Sequence, residues 1–71
     1  MAEHIFQLDS SHIELYKLLK VVGVAESGGQ AKQLIRDGEV FVNGEVEMRK
    51  RRKIVVGYEV QIFGEHIAVT E

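Results

Sequence analysis

The chain has 71 residues, and its 9 Lys and Arg against 11 Asp and Glu give a formal net charge of −2 at pH 7. That length supports a single domain over residues 1–71, near the lower limit at which an apolar core holds a fold unaided. With no cysteine, disulfides and thiolate metal ligands are excluded, and a reducing, cytoplasmic setting is the simpler expectation.

The opening "MAEHIFQLDS" has no basic start followed by an apolar stretch, so neither a signal peptide nor a spanning helix is expected. Within it, "HIFQL" offers an edge strand. "SSHIELYKLLKVVG" predicts a helix, because Leu15, Leu18, Leu19 and Val22 repeat at i, i+3, i+4 and i+7. Ser11 and Glu14 have capping-box spacing, and Gly23 fits the left-handed position after the last turn. A shorter helix is expected in "SGGQAKQLIRDG", with Ser27 and Gln30 as its cap and Gly38 as its stop. Ala31, Leu34 and Ile35 form its apolar stripe. Gly28, Lys32 and Arg36, four apart, share another face beside Gln33.

"EVFVNGEVEM" predicts a hairpin about Asn43-Gly44, with Val40 and Val42 answered by Val46 and Met48. Further strands are expected around Ile54 to Val56, Val60 to Phe63 and Ile67 to Val69, with turns at Gly57 and Gly64. Two helices followed by a small antiparallel β-sheet make an α+β domain. Phe6, Tyr16, Tyr58 and Phe63 are expected in the core or in turns, and Phe41 against the helices.

Charge is distributed unevenly. The run "RKRRK", Arg49 to Lys53, holds five of the nine cations; the rest of the chain keeps 9 − 5 = 4 against 11 acids, a balance of −7. Such a run reads equally as a solvated surface segment or as a binding patch. Two features favour the patch. Five adjacent like charges repel and are better tolerated beside an anion. The second helix adds Lys32 and Arg36 beyond an N-terminus whose Gly28 and Gly29 leave amides open to phosphate. If helix and run lie side by side they form one positive strip. In an extended segment, Arg49, Arg51 and Lys53 would face one way and Lys50 and Arg52 the other.

"SGGQAKQLIRDGEVFVNGEVEMRKRRKIVVGYEV" resembles the αL-motif RNA-binding domain named after ribosomal small-subunit protein S4, in particular its small stand-alone bacterial versions of the YbcJ type. A helix ending in "LI..G", the "V.VNG" hairpin, a basic connection and "V..G..V" carry the likeness over about half the chain. The resemblance implies an RNA-binding surface on the second helix, the hairpin and the basic loop. Many members of the family have an arginine directly after the serine that opens the second helix, where this chain has Gly28. Many also have an aspartate after the later glycine, where it has Tyr58. The first change removes a cation; the second is expected to affect a turn.

Catalytic chemistry is not expected. Ser10, Ser11 and Ser27 are read as helix caps with no base beside them, and Glu45 and Glu47 as solvated strand carboxylates. His4, His12 and His66, eight and fifty-four residues apart, match no metal-ligand spacing. "SGGQAK" completes no phosphate-binding loop.

The expected function is a cytoplasmic, non-catalytic module that grips structured RNA, ribosomal or transfer RNA, mainly through phosphates. RNA comes from the resemblance, since phosphate contacts do not distinguish it from DNA. The expected contacts are Gly28, Gly29, Lys32, Gln33, Arg36, Arg49, Lys50, Arg51, Arg52 and Lys53. No cofactor, metal, membrane or small-molecule substrate is expected. The alternative is a protein-interaction module whose basic strip docks on an acidic ribosome-associated or RNA-processing partner.

Overall fold

A computed structural model describes residues 2–71; Met1, the first residue of the expected 1–71 unit, lies outside the described residues. In chain order the elements are β1 (Ala2–Gln7), β2 (Ile13–Glu14), α1 (Leu15–Val21), α2 (Gly28–Arg36), β3 (Phe41–Val42), β4 (Glu45–Val46), β5 (Lys53–Ile54), β6 (Glu59–Ile62) and β7 (Glu65–Thr70). Five strands form one sheet in the order β1-β7-β6-β3-β4, and β2 pairs with β5 in a small second ladder. The pairs β3·β4, β3·β6 and β6·β7 are antiparallel, as expected, while β1 adds to β7 in parallel. "HIFQL" is therefore an edge strand that makes the sheet mixed.

Both helices pack on one face of this sheet. Leu15, Leu18 and Leu19 of α1 and Ala31 and Ile35 of α2 join Val42, Val60, Ile62, Ile67 and Val69 in one buried cluster. Each fully buried Leu or Ile there contributes about 1.5–3 kcal/mol, which matters in a domain this small. Among the described residues no layer covers the other sheet face, which carries Phe41, Gln61 and His66 in one cross-strand row.

Helix α2 is built as its residues predict. The Ser27 hydroxyl accepts from the Gln30 amide at 3.1 Å, and the chain turns out through Gly38 at φ +77. The Gln30 side chain returns to the Glu26 amide instead of that of Ser27. Helix α1 differs from expectation at its start. No side chain caps it at Glu14; the Ser11 hydroxyl is at His12 Nδ1, 3.0 Å away, and that of Ser10 donates to the His12 carbonyl. The capping box is displaced because Ile13 and Glu14 are extended, paired with Ile54 and Lys53.

The hairpin parity also differs. A two-residue Asn43-Gly44 turn pairs Val42 with Glu45 and Phe41 with Val46, which puts Glu47 opposite Val40, whose carbonyl accepts the Glu47 amide at 2.9 Å. Glu47 accordingly shares the inward face, while Val46, Met48 and Phe41 are exposed. Phe41 thus does not pack on the helices. Asn43 itself takes φ +53, and its side chain accepts from the Glu59 amide at 3.0 Å, fixing β3 against β6.

Candidate functional site

The basic run is held by its backbone against the start of α1. The first amides of a helix have no intrahelical acceptor. Here the Leu15 amide donates to the Arg52 carbonyl at 2.9 Å and the Tyr16 amide to the Lys50 carbonyl at 3.1 Å. These bonds do the work that a capping side chain would otherwise do. The Arg52 amide donates to the Arg49 carbonyl at 3.1 Å and closes a turn. Residues 49–52 are thus not extended, and the expected two-sided alternation of their side chains does not occur.

Glu47 organises the same loop from beneath. Its carboxylate accepts from the Arg49 amide at 3.0 Å, from Arg49 Nε at 3.0 Å and Nη2 at 3.2 Å, and from Arg52 Nη1 at 2.8 Å. Donation from the Arg49 side chain, above all, lowers its pKa from 4.5 to about 2. Burial opposes that shift, and the Arg49 amide and charge and the Arg52 side chain add to it. Glu47 is therefore a buried, ionised counter-charge, unlike the solvated carboxylate expected of it.

Helix α2 approaches through Tyr16. Lys32 Nζ lies 4.7 Å from the Tyr16 ring centroid and the Arg51 guanidinium carbon 5.9 Å from it, so one ring bridges the helix and the loop. Gly28 sits against the same ring, where an added Cβ would be 3.8 Å away, an ordinary contact. A second ring, Tyr58, has the Arg52 guanidinium carbon 5.7 Å from its centroid.

The result is a groove of about 870 Å³ lined by Lys32, Arg36 and every residue from Met48 to Lys53, with Val55 and Tyr58. Seven cations thus meet in one place. Glu47 pairs with Arg49 and Arg52, and Glu14 with Arg51 at 3.7 Å. Against these two carboxylates the groove keeps 7 − 2 = 5 positive charges. Among the described residues, Lys32, Arg36, Lys50 and Lys53 make no ion pair with a carboxylate. Gln33 lies outside the groove lining and donates to Asp37 at 2.9 Å. Gly28 and Gly29, in the first turn of α2, are also outside it.

Helix, hairpin and basic turn follow in the order of a known small fold. The model of the S4 domain matches residues 6–70 of the chain. The chain belongs to the S4 domain family. It is 52% identical over 58 residues to YbcJ of Escherichia coli (strain K12), which is named as an RNA-binding protein, covering 82% of this chain and 83% of that protein. RlbA of Bacillus subtilis (strain 168), whose name gives ribosome maturation as its probable role, is 42% identical over 57 residues, 80% of each chain. The solution structure of E. coli YbcJ, described as having an αL motif involved in RNA binding, superposes with a TM-score of 0.74 at 47% identity. It covers 94% of this chain and 86% of that one.

Sequence reasoning did not give Glu47, Tyr16 or Tyr58 a part in the site: Tyr58 lines the groove, while Glu47 and Tyr16 hold its cations from outside the lining. Glu47 was hidden by the misjudged hairpin parity, which a count outward from Asn43-Gly44 would have corrected. Tyr16 is expected in the core or in a turn, and it does pack on the core, but its ring also meets the cations. Tyr58 was read as a core or turn residue, yet it lines the groove as well as touching the core.

Proposed function

We propose that this S4-domain protein is a non-catalytic RNA-binding module that grips structured RNA through the phosphate backbone. The observation that carries the reading is the convergence of Lys32 and Arg36 with Arg49 to Lys53 around a single groove with five uncompensated positive charges. A phosphate backbone offers closely spaced anions, and a row of Lys and Arg neutralises several of them while releasing their counterions. Arg49 and Arg52, steadied by Glu47, present their remaining N–H donors in fixed directions.

The family supports RNA over DNA as the polyanion, as does the description of the YbcJ structure. The ribosome-maturation name of the B. subtilis relative favours ribosomal RNA within the structured class, with transfer RNA the other member of it. Phosphate contacts position a protein without reading bases, so sequence selectivity is slight. Lys32, Arg36 and Arg49 to Lys53 carry most of the contact, and the first-turn amides of Gly28 and Gly29 extend it along the helix end.

The test is equilibrium binding of an RNA hairpin at several salt concentrations. With about four to six phosphates engaged, log affinity falls against log salt with a slope of about −3 to −5. A flat response rules out the phosphate grip.

A further inference from the structure

The uncovered sheet face has features that neither folding nor RNA binding requires. Phe63 is 64% exposed and holds φ +51 in the two-residue Phe63-Gly64 turn that joins β6 to β7. The equivalent turn between β3 and β4 uses Asn43 at φ +53, a residue type that tolerates the left-handed region; a bulky side chain there is an outlier. Solvent gives no reason to keep a phenylalanine in that conformation. Together with Phe41, also exposed at 41%, it lines a groove of about 530 Å³.

The rim of this second groove is acidic. Glu3, Glu39 and Glu65 line it with His66, and among its lining residues there is neither Lys nor Arg. Glu59 adds a further carboxylate 3.5 Å from His66. The two grooves share no lining residue. Polyanions are repelled from such a surface, while aromatic anchors ringed by carboxylates are complementary to a cationic, apolar chain.

We propose that the open sheet face, centred on Phe41 and Phe63, docks an extended segment of a basic protein in which Lys or Arg alternates with apolar residues. A second copy of this chain is a poorer occupant. Its own cation run is folded into a turn, and Arg49, Arg51 and Arg52 meet internal carboxylates, so that run presents no extended cationic strand.

The probe is a synthetic peptide of about seven residues alternating Lys and Leu, which spans about 24 Å when extended and so crosses a molecule of this size. Titrated into the protein, it shifts the backbone amide resonances of Phe41, Gln61, Phe63 and His66; the counterpart with Glu in place of Lys does not. Phe63→Asn weakens the peptide by about tenfold, as loss of an aromatic anchor does, and leaves the melting temperature unchanged or higher. Should that variant fold poorly, Glu39→Lys, at an exposed side chain, weakens the peptide by about threefold at unchanged melting temperature. The proposal is overturned by shifts that map elsewhere or are absent, by equal binding of the acidic peptide, or by unchanged affinity in the decisive variant. Concentration-dependent dimerisation that shifts the same amides without peptide overturns it too, by giving the face to a second copy.

Discussion

Glu47→Ala lowers the free energy of unfolding by about 2–3 kcal/mol, measured by denaturant titration. The magnitude follows from what remains after the carboxylate goes. Arg52, whose side chain is 30% exposed, loses its acceptor, as does the Arg49 amide, while the Arg49 side chain, 71% exposed, turns to water and adds little. Removing one partner of a largely buried charged pair costs more than the pair itself contributes, because the other charge stays desolvated. The loop's backbone is anchored on α1 through Arg52 and Lys50, so a loosened loop also frees the first turn of the helix.

The same residue sets an acid limit. The carboxyl has its pKa lowered in the fold from 4.5 to about 2, so its contribution is complete above about pH 4.5 and is lost as pH falls toward 2. Wild-type protein loses stability through that window. In Glu47→Ala this component is missing, and the two stability curves converge toward pH 2. Curves that stay parallel from pH 5 to 2 contradict the assignment.

Replacing Lys32, Arg36, Lys50 and Lys53 together with glutamine has the largest expected effect on binding. These are the groove cations without an internal carboxylate partner among the described residues, so no internal anion competes for them, although Lys32 also lies over the Tyr16 ring. If each neutralises one phosphate, counterion release at about 0.15 M salt assigns them together on the order of a thousandfold in affinity, and the salt slope flattens by about 3 to 4. Thermal stability changes little: Arg36, Lys50 and Lys53 are exposed cations that contribute little to folding, and the half-buried Lys32 gives up a contact with the Tyr16 ring of about 0.5–1 kcal/mol. Loss of binding with an unchanged slope attributes the effect to something other than phosphate contact.

Local signals in the chain account for much of the fold. The Leu15-Leu18-Leu19 stripe, the Ser27 cap and the Asn43-Gly44 turn are each decided by residues close in sequence, and each forms as its chemistry requires. The misses are tertiary. Nothing near Ser11 announces that Lys53 and Ile54 will pair with Glu14 and Ile13 and hold the start of α1 open for loop carbonyls. The parallel pairing of β1 with β7 joins residues more than sixty positions apart, beyond the reach of any periodicity. In the site, the cations were legible as types and their shared groove was expected only conditionally. The internal neutralisation by Glu47 and Glu14, and the use of Tyr16 as the ring between α2 and the loop, depend on side chains meeting across the fold.

The central claim is that RNA occupies the groove between α2 and the turn of residues 49–52. Backbone amide shifts recorded while an RNA hairpin is titrated into the labelled protein test it directly. The account predicts that the perturbed amides cluster in 28–36 and 49–53, with Phe63, Gly64 and His66 unmoved. Perturbations centred on the open sheet face, with 49–53 unaffected, contradict it.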